Sequence, residues 1–76
     1  MVSASNGWKK VKGYDEWEKG RNIIKLNENT FKTDIKKRGK FQVKILIPSK
    51  SLRAEYKGFT NRTTAQNYIE KLMKYN

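Results

Sequence analysis

The chain contains no cysteine and no histidine. Without cysteine there is no disulfide framework and no thiolate zinc site. Without histidine the commonest general base and the commonest metal ligand are missing. Proline occurs once, as Pro48, and the five glycines are scattered, so no glycine-rich phosphate loop is present. No apolar run approaches the length of a membrane span, and the N-terminus lacks the apolar stretch of a signal peptide. Acid is scarce too, at seven Asp and Glu. The only acid cluster is Asp15, Glu16 and Glu18, whose spacing does not converge on one point; it reads as a solvated turn. These absences argue against an enzyme. No catalytic residue, metal ligand set or cofactor site is expected, and the protein is read as cytoplasmic and associated with the nucleoid, with no membrane partner.

What is present is positive charge. Eighteen Lys and Arg leave a net charge of +11 on 76 residues. Residues 1–28 hold six basic against four acidic side chains, and residues 29–76 hold twelve against three. The surplus therefore lies in the second part of the chain. Such density favours polyanions: DNA, RNA or an anionic surface. A chain this short forms one small domain with a modest core. Residues 1–6 read as a loose tail and residues 7–76 as the domain, with a β-β-β-α unit over 30–76.

The helix is the clearest local signal. Ala65, Tyr68, Ile69, Leu72 and Met73 recur at the spacing of one helical face. Asn61 is a good N-cap with Thr63 its rival, which predicts a helix from Arg62 to Tyr75. Lys71 and Lys74 suit its C-terminal end. Before it, Phe31, Thr33 and Ile35 alternate with Lys32, Asp34 and Lys36. Phe41, Val43, Ile45 and Ile47 alternate with Gln42, Lys44 and Leu46. A period of two marks strands with one apolar face. Lys37 to Lys40 is the turn between them, with Gly39 at a positive φ. Pro48 to Ser51 is the next turn. Leu52 to Phe59 is the third strand, with Ala54 and Tyr56 on the core face, Arg53, Glu55 and Lys57 outward, and a bulge at Gly58 returning Phe59 to the core.

Upstream, Trp8, Tyr14 and Trp17 are expected to cap one end of the core rather than to offer a stacking platform. Gly7, Gly13 and Gly20 argue against a long helix there, and Asp15 to Lys19 fits a single helical turn. Arg21 to Leu26 reads as a further strand, turned into Thr30 by Asn27 to Asn29. The expected fold is α+β, a three- or four-stranded antiparallel meander packed on one C-terminal helix.

The turn Lys37-Arg38-Gly39-Lys40, then Phe41, Val43 and Ile45, then Phe59, Asn61, Ala65, Tyr68 and Ile69, together resemble a known pattern. It is similar to the arm-type DNA-binding domain of tyrosine integrases and to the plant ethylene-response-factor type of DNA-binding domain. The resemblance covers residues 30–75, with Phe41 where the integrase domains often have Trp. Residues 8–14 bear a slighter likeness to a module of phage homing endonucleases of the HNH type, whose catalytic site a chain without histidine cannot carry. Both likenesses imply a phage or mobile-element setting. The first implies a sheet lying in the DNA major groove with the helix on its back.

On that reading the contacts are Lys32, Lys36, Arg38, Lys40, Gln42, Lys44, Arg53 and Lys57. Arg38 and Arg53 would fork onto guanine and Gln42 onto adenine, Gln42 and Lys44 on the central strand would face base edges, and Lys32 and Lys57 would meet phosphate. Neutralising about five phosphates gives a slope of roughly −4 to −5 in log K against log salt. Asp34, Glu55 and Leu46 depart from a cationic face; the acids are expected to pair with neighbouring Lys. Two other readings stay open. One is an RNA binder, against which stands the absence of an aromatic on the expected outer face. The other is a phage protein that binds and inhibits a host nuclease or polymerase.

Overall fold

The computed structural model describes residues 6–30, 36 and 39–76. Among them, five strands form one antiparallel sheet in sequence order: β1 (Lys9–Lys10), β2 (Glu16–Lys19), β3 (Asn22–Glu28), β4 (Phe41–Leu46) and β5 (Glu55–Phe59). One helix follows, α1 (Arg62–Tyr75), with the bounds that the spacing predicts. The architecture is α+β as expected, with one or two strands more.

The helix begins where its cap dictates. Asn61 is extended, and its side-chain oxygen accepts a hydrogen bond from Thr63 N at 2.7 Å. This satisfies one of the amide groups that an N-terminus leaves orphaned. Ala65, Ile69 and Met73 are fully buried, while Tyr68 and Leu72 pack at the margin of the core.

The alternation in β4 is borne out: Phe41, Val43, Ile45 and the following Ile47 are buried and face α1. Gln42, Lys44 and Leu46 point to the opposite side and are half-buried. One neighbour of β4 is β5, as expected, and the other is not the strand expected. The place beside it assigned to 31–36 is held by β3, which pairs from Ile23↔Leu46 to Glu28↔Phe41. Residues 31–35, 37 and 38 lie outside the described residues; Lys36 is exposed and outside the five strands. Asn27 and Glu28 continue β3 instead of turning. Asn29 closes the connection that follows: its backbone N donates to Lys40 O at 2.8 Å and its Nδ2 to Gly39 O at 2.7 Å.

The N-terminal stretch is a hairpin, not a helical turn. Glu16 to Lys19 pair with Lys25 to Asn22, and Lys9 and Lys10 pair with Glu18 and Trp17. Trp8 and Trp17 are buried in the same core cluster as Ile24, Leu26 and the helix, whereas Tyr14 is exposed. Neither buried indole N–H finds an acceptor among the described residues. Each such orphan costs about 1–3 kcal/mol, which the burial of a large ring offsets. The hairpin is tied to α1 by an Asp15–Arg62 ion pair at 3.1 Å, and Lys19 Nζ donates to Asn76 O at 3.1 Å.

Gly39 takes φ +84°, the positive value its place in the turn suggests. Space compels glycine as well as φ. A Cβ there would stand 2.6 Å from the carbonyl oxygen of Phe59, on the neighbouring backbone. Gly39→Ala is therefore expected to cost about 1–3 kcal/mol. Urea unfolding would show it as a lower midpoint at unchanged slope.

Candidate nucleic-acid interface

Residues paired directly across antiparallel strands share a face. The registers therefore sort every strand side chain onto the face under α1 or onto the opposite, open one. The open face carries three cross-strand rows. One runs Lys9, Glu18, Ile23, Leu46. The next runs Glu16, Lys25, Lys44, Tyr56. The third runs Asn27, Gln42, Gly58. Successive rows lie about 7 Å apart, two residues along each strand.

The rows differ in chemistry. Leu46 meets Ile23 in a small apolar spot. Gln42 lies beside Asn27, so two carboxamides stand side by side, and Gly58 leaves the surface low next to them. In the middle row Lys25 stands between Glu16 and Lys44, and Lys44 between Lys25 and Tyr56. Lys44 thus has a cation directly opposite and no acid on either side. Both acids of the open face, Glu16 and Glu18, are on β2; the β3–β4–β5 portion carries none.

Of the eight residues expected to touch DNA, Gln42 and Lys44 are on this face, at the middle of the sheet. Lys40 is exposed just before β4, its Nζ 5.8 Å from the Phe41 ring centroid. Lys36 is exposed off the sheet. Lys32 and Arg38 lie outside the described residues, as does Asp34.

Arg53 and Lys57 are corrected. Leu52 is 88% exposed and the strand begins only at Glu55, so Arg53 sits in the preceding loop. There it lines a hollow of about 100 Å3 with Ile45 and Ile47, two residues of the α1 side. Lys57 pairs with the buried Val43 and so projects towards α1, where its Nζ lies 5.0 Å from the Tyr68 ring centroid.

The phase of β5 explains the change. Phe59 pairs with Phe41 and Gly58 with Gln42, one to one, so there is no bulge. Phe59 inward then forces Lys57 and Glu55 to the helix side and Tyr56 to the open side, where it is 57% exposed. Both the inward Tyr56 and the outward Glu55 of the sequence reading are reversed. Lys25, Asn27 and Tyr56 are the open-face residues that sequence reasoning left out of the site. The alternation around Ile24 and Leu26 was the available signal for the first two.

No helix among the described residues is long and apolar enough to cross a membrane. Compared with family models, curated proteins and solved structures, the chain matches none.

Proposed function

We propose that this protein binds double-stranded DNA through the open face of β3, β4 and β5. The observation that carries the proposal is Lys44, a cation at the centre of the sheet that faces another lysine across the strand and has no acid opposite. Like charges directly opposed destabilise a sheet. A phosphate backbone laid over the row removes that repulsion. The neighbouring row supplies what reads bases: Asn27 and Gln42 can fork onto adenine. The β3, β4 and β5 axes span about 10 Å, close to the roughly 12 Å width of the major groove. The helix covers only the other face, and the net charge of +11 draws the protein to DNA from solution.

The expected salt response follows from which cations remain. With Arg53 and Lys57 on the helix side, the β3–β4–β5 part of the open face and its margin supply Lys25, Lys40 and Lys44. Three phosphates neutralised give a slope of about −3 in log K against log salt, shallower than the roughly −4 to −5 that five phosphates give. Fluorescence anisotropy on a random duplex between 50 and 300 mM salt measures it. A flat response would end this reading.

Tyr56 favours a second reading, single-stranded RNA or DNA. It places an exposed ring beside Lys44 on the open face, where none was expected, and base stacking on such a ring is worth about 1–3 kcal/mol. Competition between duplex DNA and single-stranded RNA at one salt concentration separates the two. Under the duplex reading Tyr56→Ala changes duplex affinity less than Lys44→Gln does. Under the single-strand reading Tyr56→Ala is the more damaging.

A further inference from the structure

The opposite side of β5 carries a second surface. A groove of about 540 Å3 runs between β5 and α1, walled by Phe59, Tyr68, Leu72 and Tyr75 and bearing Lys57 and Lys71. No acid lines it. Beside it runs the edge of β5, which is the last strand of the sheet and pairs only with β4 among the described residues. An unpaired edge presents a row of backbone donors and acceptors ready to take another strand. The apolar walls are partly exposed: Tyr75 is 69% exposed, and Phe59, Tyr68 and Leu72 are only partly covered.

We infer that β5 and this groove form a docking site for an extended acidic segment of a partner protein, which adds to β5 as a sixth strand. Its backbone continues the ladder beyond β5. Its alternate side chains fall into the groove, and among these the apolar ones lie against Phe59 and Leu72 while carboxylates on the same face meet Lys57 and Lys71. Two rival occupants fit less well. A second copy would bring β5 against β5, with Lys57 close to its own counterpart and +11 meeting +11. Stacked nucleobases need free ring faces, but Tyr68 has the Lys57 ammonium over its ring and Phe59 tilted against it at 5.2 Å. The groove shares no side chain with the open-face rows; the two surfaces meet only in the β5 strand, at Tyr56 and Gly58, so shifts at the groove and at Lys25 and Lys44 tell this inference and the DNA reading apart.

The test is an amide-shift titration of the labelled full chain with an eight-residue peptide whose groove-facing positions, every second residue, alternate phenylalanine with aspartate and whose other positions are threonine. Controls are a scrambled peptide, the same peptide with lysine for aspartate, and oligo-dT. The expected shifts centre on Lys57, Phe59, Tyr68 and Leu72 and leave Lys25 and Lys44 unmoved. Methylating the peptide nitrogens on one edge abolishes binding, and methylating those on the other edge does not. Lys57→Glu, an exposed change that leaves the core intact, lowers affinity for the acidic peptide about tenfold and raises it for the lysine version. The inference is overturned if the shifts fall on the Lys25 and Lys44 face, if the scrambled peptide binds as well, if neither methylated peptide loses affinity, or if oligo-dT occupies the groove.

Discussion

Ile69→Ala is expected to lower the melting temperature by roughly 10–30 °C. Ile69 is fully buried on α1, one turn from Ala65 and one from Met73, in the cluster that joins the helix to Val43 and Ile24. Truncating such a side chain loses its transfer free energy and leaves a cavity that a tight core closes only partly, about 2–5 kcal/mol in all. A domain of this size holds roughly 4–11 kcal/mol in total, and each kilocalorie moves the melting temperature by about 4–8 °C. Leu72 gives the contrast. The helical spacing ranks it equally with Ile69 and predicts about 2–4 kcal/mol for Leu72→Ala. It is instead only partly buried, in the wall of the β5–α1 groove, and its truncation is expected to cost less than half as much as that of Ile69. Thermal melts of both variants followed by circular dichroism decide it. Equal losses would mean that Leu72 is as buried as Ile69.

That contrast shows what the sequence could and could not reveal. The helix was legible to the residue because its determinants are local: the spacing of five apolar residues and a capping Asn61. The alternation of β4 was legible for the same reason. Pairing partners were not, because they are set at long range. Residues 22–28 and 31–36 both alternate, and nothing local says which lies beside β4. The β1–β2 hairpin was invisible. Two residues of β1 carry no pattern, and Glu-Trp-Glu-Lys is a poor strand by composition, made one by pairing with β3 and by burial of Trp17. The pattern of β5 misleads on its phase, because Ala54 and Tyr56 alternate with the charged Arg53, Glu55 and Lys57 as a core face would. The Phe59–Phe41 pair fixes that phase, and an edge strand can hold Lys57 and Glu55 on its nominally buried side because both side chains reach water past the helix. The face that carries Gln42 and Lys44 was accordingly legible, and the face that each residue of β5 takes was not.

The centre of the site yields the most discriminating expectation, because there affinity and stability should move in opposite directions. Lys44→Gln removes one phosphate contact. At about 0.1 M salt that lowers duplex affinity roughly tenfold on every sequence, and it makes the salt slope shallower by about 1. The same change removes the like-charge opposition between Lys44 and Lys25 while leaving Glu16 across from Lys25, so stability should rise by about 0.2–1 kcal/mol. Lys25→Gln behaves differently. It also sheds a phosphate contact, but it gives up an attraction to Glu16 together with the repulsion from Lys44, and the two roughly cancel. Combining them tests the assignment further. In the Lys25→Gln background Lys44→Gln has no repulsion left to relieve, so its stabilising effect disappears while its effect on affinity persists. Gln42→Ala should instead relax discrimination among sequences by about 1–3 kcal/mol, as loss of a base contact does. Lys57→Ala, on the helix side, should leave duplex binding as it was. Urea midpoints and binding isotherms on the five variants and the unsubstituted protein measure all of this. If Lys44→Gln lowers stability, the two lysines are not opposed as the register has them. If it leaves affinity unchanged while Lys57→Ala reduces it, the DNA lies on the helix side of the sheet and the open-face proposal fails.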